Sequence, residues 1–104
     1  MLVGSVAEFS GEHDISGKAI IAGLQTMIIQ RFSFDGKGPQ IDIRLTLDGE
    51  IEGSVATLMA LEQRLYENET VIMRIPPEAG PGTANSITVY CPETDTVYAT
   101  AKFR

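Results

Sequence analysis

The chain contains one cysteine, one histidine and only eight basic residues among 104. Each scarcity removes a class of protein. A single thiol cannot build an internal disulfide framework or any cysteine-rich zinc module. A single imidazole, His13, excludes sites that need two within one chain, including the two-histidine, one-cysteine blue-copper set. Eight Lys and Arg against fourteen Asp and Glu leave a formal charge of −6. That sign argues against nucleic acid as a partner, because phosphates are bound by clustered cations. It also opposes docking to an anionic membrane surface. No apolar run approaches the ~20 residues of a membrane-spanning helix, so no membrane span is expected. Met1-Leu2-Val3-Gly4 lacks the basic and apolar regions of a signal peptide. The expectation is either a cytoplasmic protein or a mature domain already trimmed.

What is present is enough apolar material, 43% of residues, to pack one domain over residues 1–104. Period-2 alternation dominates. Ile41, Ile43, Leu45 and Leu47 alternate with Asp42, Arg44 and Thr46, the pattern of a half-buried strand. Ile87, Val89 and Cys91 share one parity, opposite Ser86, Thr88 and Tyr90. Val97, Ala99, Ala101 and Phe103 share another, with Tyr98, Thr100 and Lys102 on the solvent side. Leu2 to Phe9, Lys18 to Ala22, Gln25 to Phe34 and Thr70 to Ile75 are further strands, rich in β-branched and aromatic residues.

Turn residues separate these runs. Asp35-Gly36-Lys37-Gly38-Pro39 and Asp48-Gly49 offer the positive φ that tight connections need. Ala22-Gly23-Leu24 reads as a hairpin apex. Pro76-Pro77 and Pro81-Gly82 bound a loop that cannot continue a ladder. Ser54 to Asn68 is the exception. There Val55, Leu58, Leu61 and Leu65 fall near helical spacing, so one short helix near residues 55–67 is expected. About seven or more strands with at most that one helix make an antiparallel β-sandwich, mainly all-β.

Few side chains offer chemistry. Cys91 ends a strand before Pro92, where a thiol could meet a partner. No Lys or Arg stands within ten residues of it, so any lowering of its pKa must come through the fold. The competing reading is a small core hydrophobe in phase with Ile87 and Val89. His13, in Gly11-Glu12-His13-Asp14, is a candidate cofactor ligand or acid–base group, against the plainer reading of a loop histidine. Covalent haem lacks its Cys-x-x-Cys-His motif. Non-covalent haem held by His13 and one of Met27, Met59 or Met73 is compatible with composition, as is core packing for those methionines. The acidic run Asp48-Gly49-Glu50-Ile51-Glu52 has oxygen ligands for calcium but not EF-hand spacing, so a solvated turn is the simpler reading. No metal site is expected.

Two stretches resemble a known family. GEHDISGKAII carries a His-x-x-Ser-Gly pattern on His13, Ser16 and Gly17, and FSFDGKGPQIDIRL follows with Gly38-Pro39. VIMRIPPEAGPGTANSITVYCPETDTVYATAKF closes with a strand ending in Tyr90-Cys91. Together they resemble the DM-thirteen domain, also called the electron-transfer DM domain. Gln40 stands where that family often has an acidic residue, and Tyr90 where it often has Trp. The resemblance implies a β-sandwich whose cysteine, here Cys91, takes part in redox chemistry. It also implies partners such as DOMON domains or membrane b-type cytochromes, in an extracellular or envelope setting.

The leading expectation is a redox or electron-transfer accessory domain acting through Cys91, without autonomous catalysis. One thiol cannot cycle a disulfide alone, so a partner or bound cofactor is required. The alternative is a non-catalytic binding module in which Cys91 is packing. A hydrolase or transferase comes last, because no nucleophile–base pair is readable.

Overall fold

The computed structural model describes residues 2–79 and 82–104. Among these, eight strands form two four-stranded antiparallel sheets. Sheet A has the order β1-β2-β3-β6, from Val6–Ser10, Ser16–Gly23, Thr26–Phe34 and Tyr66–Arg74. Sheet B has the order β5-β4-β7-β8, from Ala56–Ala60, Asp42–Thr46, Ser86–Cys91 and Thr96–Lys102. The expected antiparallel β-sandwich is therefore the fold. No described helix is long and apolar enough to cross a membrane.

The alternation explains the layers. Ala7, Phe9, Ala19, Ile21, Met27 and Ile29 turn inward from sheet A and are buried, as are Ile43, Leu45, Ile87 and Val89 from sheet B. Shifting either sheet by one residue would expose its whole set, so the apolar pattern fixes the register. Phe32 lies at the centre of an aromatic cluster, edge-on to Tyr66 at 5.2 Å and tilted against Phe9 at 6.4 Å. The two sheets also meet along one side. Val6 and Arg104 exchange backbone hydrogen bonds of 2.9 Å, and the Glu12 amide donates to the Tyr98 carbonyl at 3.0 Å. These bonds cover the β1 edge, which would otherwise expose unpaired backbone groups.

Asp48-Gly49 and the Gly36 and Gly38 loop adopt the positive φ expected of them. Gly23 pairs with Thr26, so the second hairpin turns at Leu24 and Gln25, just beyond the predicted apex. Pro77–Ala79 forms a single 3-10 turn, and Gly82 has φ +87°; Pro81 lies outside the described residues.

The helix expected over Ser54 to Asn68 is absent. That segment holds β5, a connector and the start of β6. A register shift between Ile43 and Arg44 places Met59 and Thr57 opposite them and leaves Leu58 as the extra residue of β5. The bulge switches side-chain phase by one, so a strand acquires the three-residue spacing of Val55 and Leu58. Leu61 is buried in the connector, whereas Leu65 is 56% exposed and belongs to no apolar stripe. Pairing with the free edge of β4 outweighs the local helical pattern.

Candidate functional site

Cys91 is the last residue of β7. Pro92 follows, and without an N–H it cannot extend the ladder. The chain turns through Pro92, Glu93, Thr94 and Asp95 before Thr96 pairs back onto Cys91. Asp95 has φ +50°, and its carboxylate accepts the Tyr90 hydroxyl. Tyr90 thereby ties down the turn from the outer face of sheet B. Its ring is covered by the Arg44 guanidinium at 4.7 Å, itself paired to Asp42 at 2.8 Å.

The turn matters because of what it aims at the sulfur. Cys91 is fully buried, with no exposed area, and burial pushes its thiol pKa up. Donor groups beside the sulfur oppose that effect: the Thr94 hydroxyl and amide, the Tyr98 hydroxyl and the Glu93 amide each favour the thiolate. Together they outweigh burial and hold the thiol below its ordinary value. No cation contributes.

Tyr98 joins this thiol to the histidine. Its hydroxyl bonds to Cys91, and its ring stacks on His13 with centroids 4.8 Å apart at 24°. Burial first, then the neighbouring Cys91 charge, raise the Tyr98 pKa, so the phenol stays protonated and acts as a donor. His13 Nδ1 lies 3.2 Å from Asp35 Oδ2. The carboxylate that reaches His13 is thus Asp35, from 22 residues away, rather than its neighbours Glu12 or Asp14. Asp35 is held in turn by its amide on the His13 carbonyl at 3.0 Å.

Local backbone geometry makes this convergence possible. His13 and Asp14 both have positive φ, 56° and 59°, in the tight turn closed by the Ile15 amide on the Glu12 carbonyl. His and Asp are among the residues that tolerate this region. Gly11 lets the turn lie on β8: a Cβ there would fall 1.7 Å from the Tyr98 carbonyl oxygen. Gly38 covers the far side, and a Cβ on it would stand 3.7 Å from both the His13 ring and the Tyr98 hydroxyl.

Two residues singled out by sequence, Cys91 and His13, are therefore neighbours of one tyrosine at one end of the sandwich. The sequence pattern misplaces that tyrosine. It puts Tyr98 on the solvent side of β8, yet the residue is only 7% exposed. A register shift pairs Val89 with Ala99 and Tyr90 with Val97, leaving Tyr98 as the extra residue of a bulge. The bulge turns Tyr98 inward and leaves Val97 41% exposed. Its proximity to the Tyr-Cys strand end was the available signal, and alternation obscured it.

Other candidates lie elsewhere. Met27 and Met73 are cross-strand partners buried on sheet A, whereas His13 is held by Asp35 and Tyr98. Met59 lies on the edge strand β5. Asp48 accepts from Asn85 and pairs with Lys102 at 3.3 Å, as part of a tight turn. Among the described residues, no group of three or more His, Cys, Asp or Glu could hold a metal ion.

The motifs that meet at this end, His-x-x-Ser-Gly, Gly-Pro and Tyr-Cys, are the ones that carried the family resemblance. No curated protein and no solved structure matches the chain. The model of the family described as electron transfer DM13 matches residues 8–103. Covering nearly the whole sandwich and all three motifs, that match shows that the chain belongs to the electron transfer DM13 family.

Proposed function

We propose that the chain is a redox accessory domain that exchanges electrons through Cys91 with a protein partner or neighbouring domain. The observation that carries this reading is the environment of the sulfur. Cys91 belongs to the buried apolar core, which packing alone would explain, yet the Thr94, Glu93 and Tyr98 donors beside it also favour its thiolate. Membership of an electron-transfer family supports the same reading.

Burial restricts the chemistry. Mixed-disulfide exchange and oxidation to sulfenic acid both require a reagent to touch sulfur. Electron transfer requires only electronic coupling. Loss of one electron by the thiolate to an oxidising centre on the partner leaves a sulfur radical and a partner reduced by one electron; the reverse step restores both. Tyr98 and the partly exposed His13, at 34%, lead from the sulfur towards the surface. A DOMON domain or b-type cytochrome is the partner suggested by resemblance.

Protein-film voltammetry of the wild type and Cys91→Ser tests this. A reversible wave present in the wild type and lost in the folded variant is expected. The same response in both proteins, or none in either, would overturn the reading. One observation favours a second: the zero exposure of Cys91 also suits a binding module with a packed cysteine. In that case the substitution would cost only about 1–3 kcal/mol of stability for a poorly paired hydroxyl.

A further inference from the structure

A second feature, independent of the redox reading, lies on the outer face of sheet A. A concavity of about 600 Å³ opens there, lined by Lys18, Arg31 and Arg104. Three of the eight basic residues of a chain with net charge −6 converge on it. Elsewhere among the described residues Arg44, Arg64 and Lys102 pair with carboxylates, while Lys37 and Arg74 stand singly without one. Among the described residues, Lys18, Arg31 and Arg104 enter no salt bridge. One carboxylate, Glu8, lines the concavity, directly opposite Lys18 in the β1–β2 register.

Among the described residues, positive φ inside a strand occurs at this place and in no other strand. Six described non-glycine residues have positive φ, and His13, Asp14, Asp48 and Asp95 occupy turns. The remaining two, Arg31 at 54° and Asn68 at 53°, lie inside β3 and β6, and both line the concavity. Register shifts between Ile29 and Phe32 and between Phe32 and Phe34 mark the corresponding bulges. Asparagine tolerates this conformation; for arginine it is strained. Bulges re-aim side chains, and strain of this kind gathers at ligand sites.

The remaining lining is hydroxylic. Ser10, Ser16 and Ser33 stand in one cross-strand row. The Ser33 oxygen accepts the Asn68 amide at 3.2 Å, while the Ser10 and Ser16 hydroxyls have no partner among the described residues. We propose that this concavity binds a small polyhydroxyl ligand bearing an oxyanion, of the class of phosphorylated or carboxylated sugars. Lys18, Arg31 and Arg104 would receive the oxyanion, while the serine row, Asn68 and Glu8 would exchange hydrogen bonds with ligand hydroxyls.

Amide chemical-shift titrations of the intact chain with glucose 6-phosphate, glucuronate, inorganic phosphate and glucose test the proposal. Saturable shifts centred on Ser16, Lys18, Arg31 and Ser33 are expected with at least one sugar anion. Which one binds identifies phosphate or carboxylate as the recognised group. Lys18→Gln and Arg31→Gln should each weaken binding by about tenfold or more, and Arg74→Gln should leave it unchanged. Wild-type affinity should also fall as salt is raised, a readout that needs no variant. Three results would overturn the site: no response to either sugar anion at about 10 mM, an equal response to glucose, or salt-independent affinity. Inorganic phosphate binding as tightly as both sugar anions would overturn the polyhydroxyl assignment.

Discussion

Tyr98 and His13 stack ring on ring at 4.8 Å, although 85 positions in sequence separate them, and the same tyrosine hydroxyl bonds to Cys91. One aromatic side chain thus couples the buried sulfur to a partly exposed imidazole. Its position depends on a bulge in β8 and on a glycine that allows β1 to approach β8.

The pH dependence of stability follows from the sulfur. In the unfolded chain the thiol titrates near ~8.5; in the fold its value is lowered. Between the two values the unfolded state binds more protons, so stability rises with pH. The Cys91 contribution is full above ~8.5 and is lost as pH falls through the folded value. Tyr98 has the opposite sign: its raised pKa contributes below ~10 and is lost as pH rises through the folded value. Urea denaturation of wild type and Cys91→Ala across this range should show their stability difference growing towards pH ~8.5. A difference independent of pH would contradict the donor arrangement.

Tyr98→Phe keeps the ring on His13 and removes one donor to the sulfur. The Cys91 titration, followed by thiolate absorbance or by its Cβ chemical shift, should move upward. Stability should drop by about 0.5–1.5 kcal/mol, the net worth of one hydrogen bond. An unchanged thiol midpoint would remove Tyr98 from the site.

Two glycines separate steric need from conformational need. Gly11→Ala would drive a Cβ to 1.7 Å from the Tyr98 carbonyl oxygen, and neither atom lies on a flexible side chain. A loss of about 3 kcal/mol is expected, with the His13 turn displaced from β8. Gly53→Ala meets nothing within 4 Å and suffers only from its φ of +83°. Its loss should be about 1–2 kcal/mol. Equal losses at both positions would argue against a tight β1–β8 approach.

Phe32→Ala tests the centre of the core. Phe32 has no exposed area and packs on both Tyr66 and Phe9. Truncation should cost about 3–5 kcal/mol, a large share of the ~5–15 kcal/mol that holds most domains folded. A midpoint shift in urea with an unchanged slope would identify lost packing.

Much of this architecture was legible in the residues. The alternation of Ile41, Ile43 and Leu45, and of Ile87, Val89 and Cys91, determines strands whose apolar face enters the core, whereas the burial of their polar face at Thr46, Ser86 and Thr88 departs from the half-buried pattern. Asp48-Gly49 and the Gly36 and Gly38 loop determine turns, because few other residues adopt positive φ there. Cys91 and His13 were visible as the single thiol and the single imidazole.

The bulges were not legible. At Leu58, Tyr98 and Arg31 one extra residue shifts the side-chain phase, and only the competing registers of neighbouring strands decide where that residue goes. At Leu58 the shift made a strand look helical; at Tyr98 it carried a solvent-side residue into the core. The partner of His13, the donors around Cys91 and the gathering of Lys18 with Arg31 share that origin. Residue order suffices to say which positions are apolar, which turn and which carry reactive atoms. Tertiary structure alone decided which of those atoms meet, because each meeting depends on pairing between segments far apart in the chain.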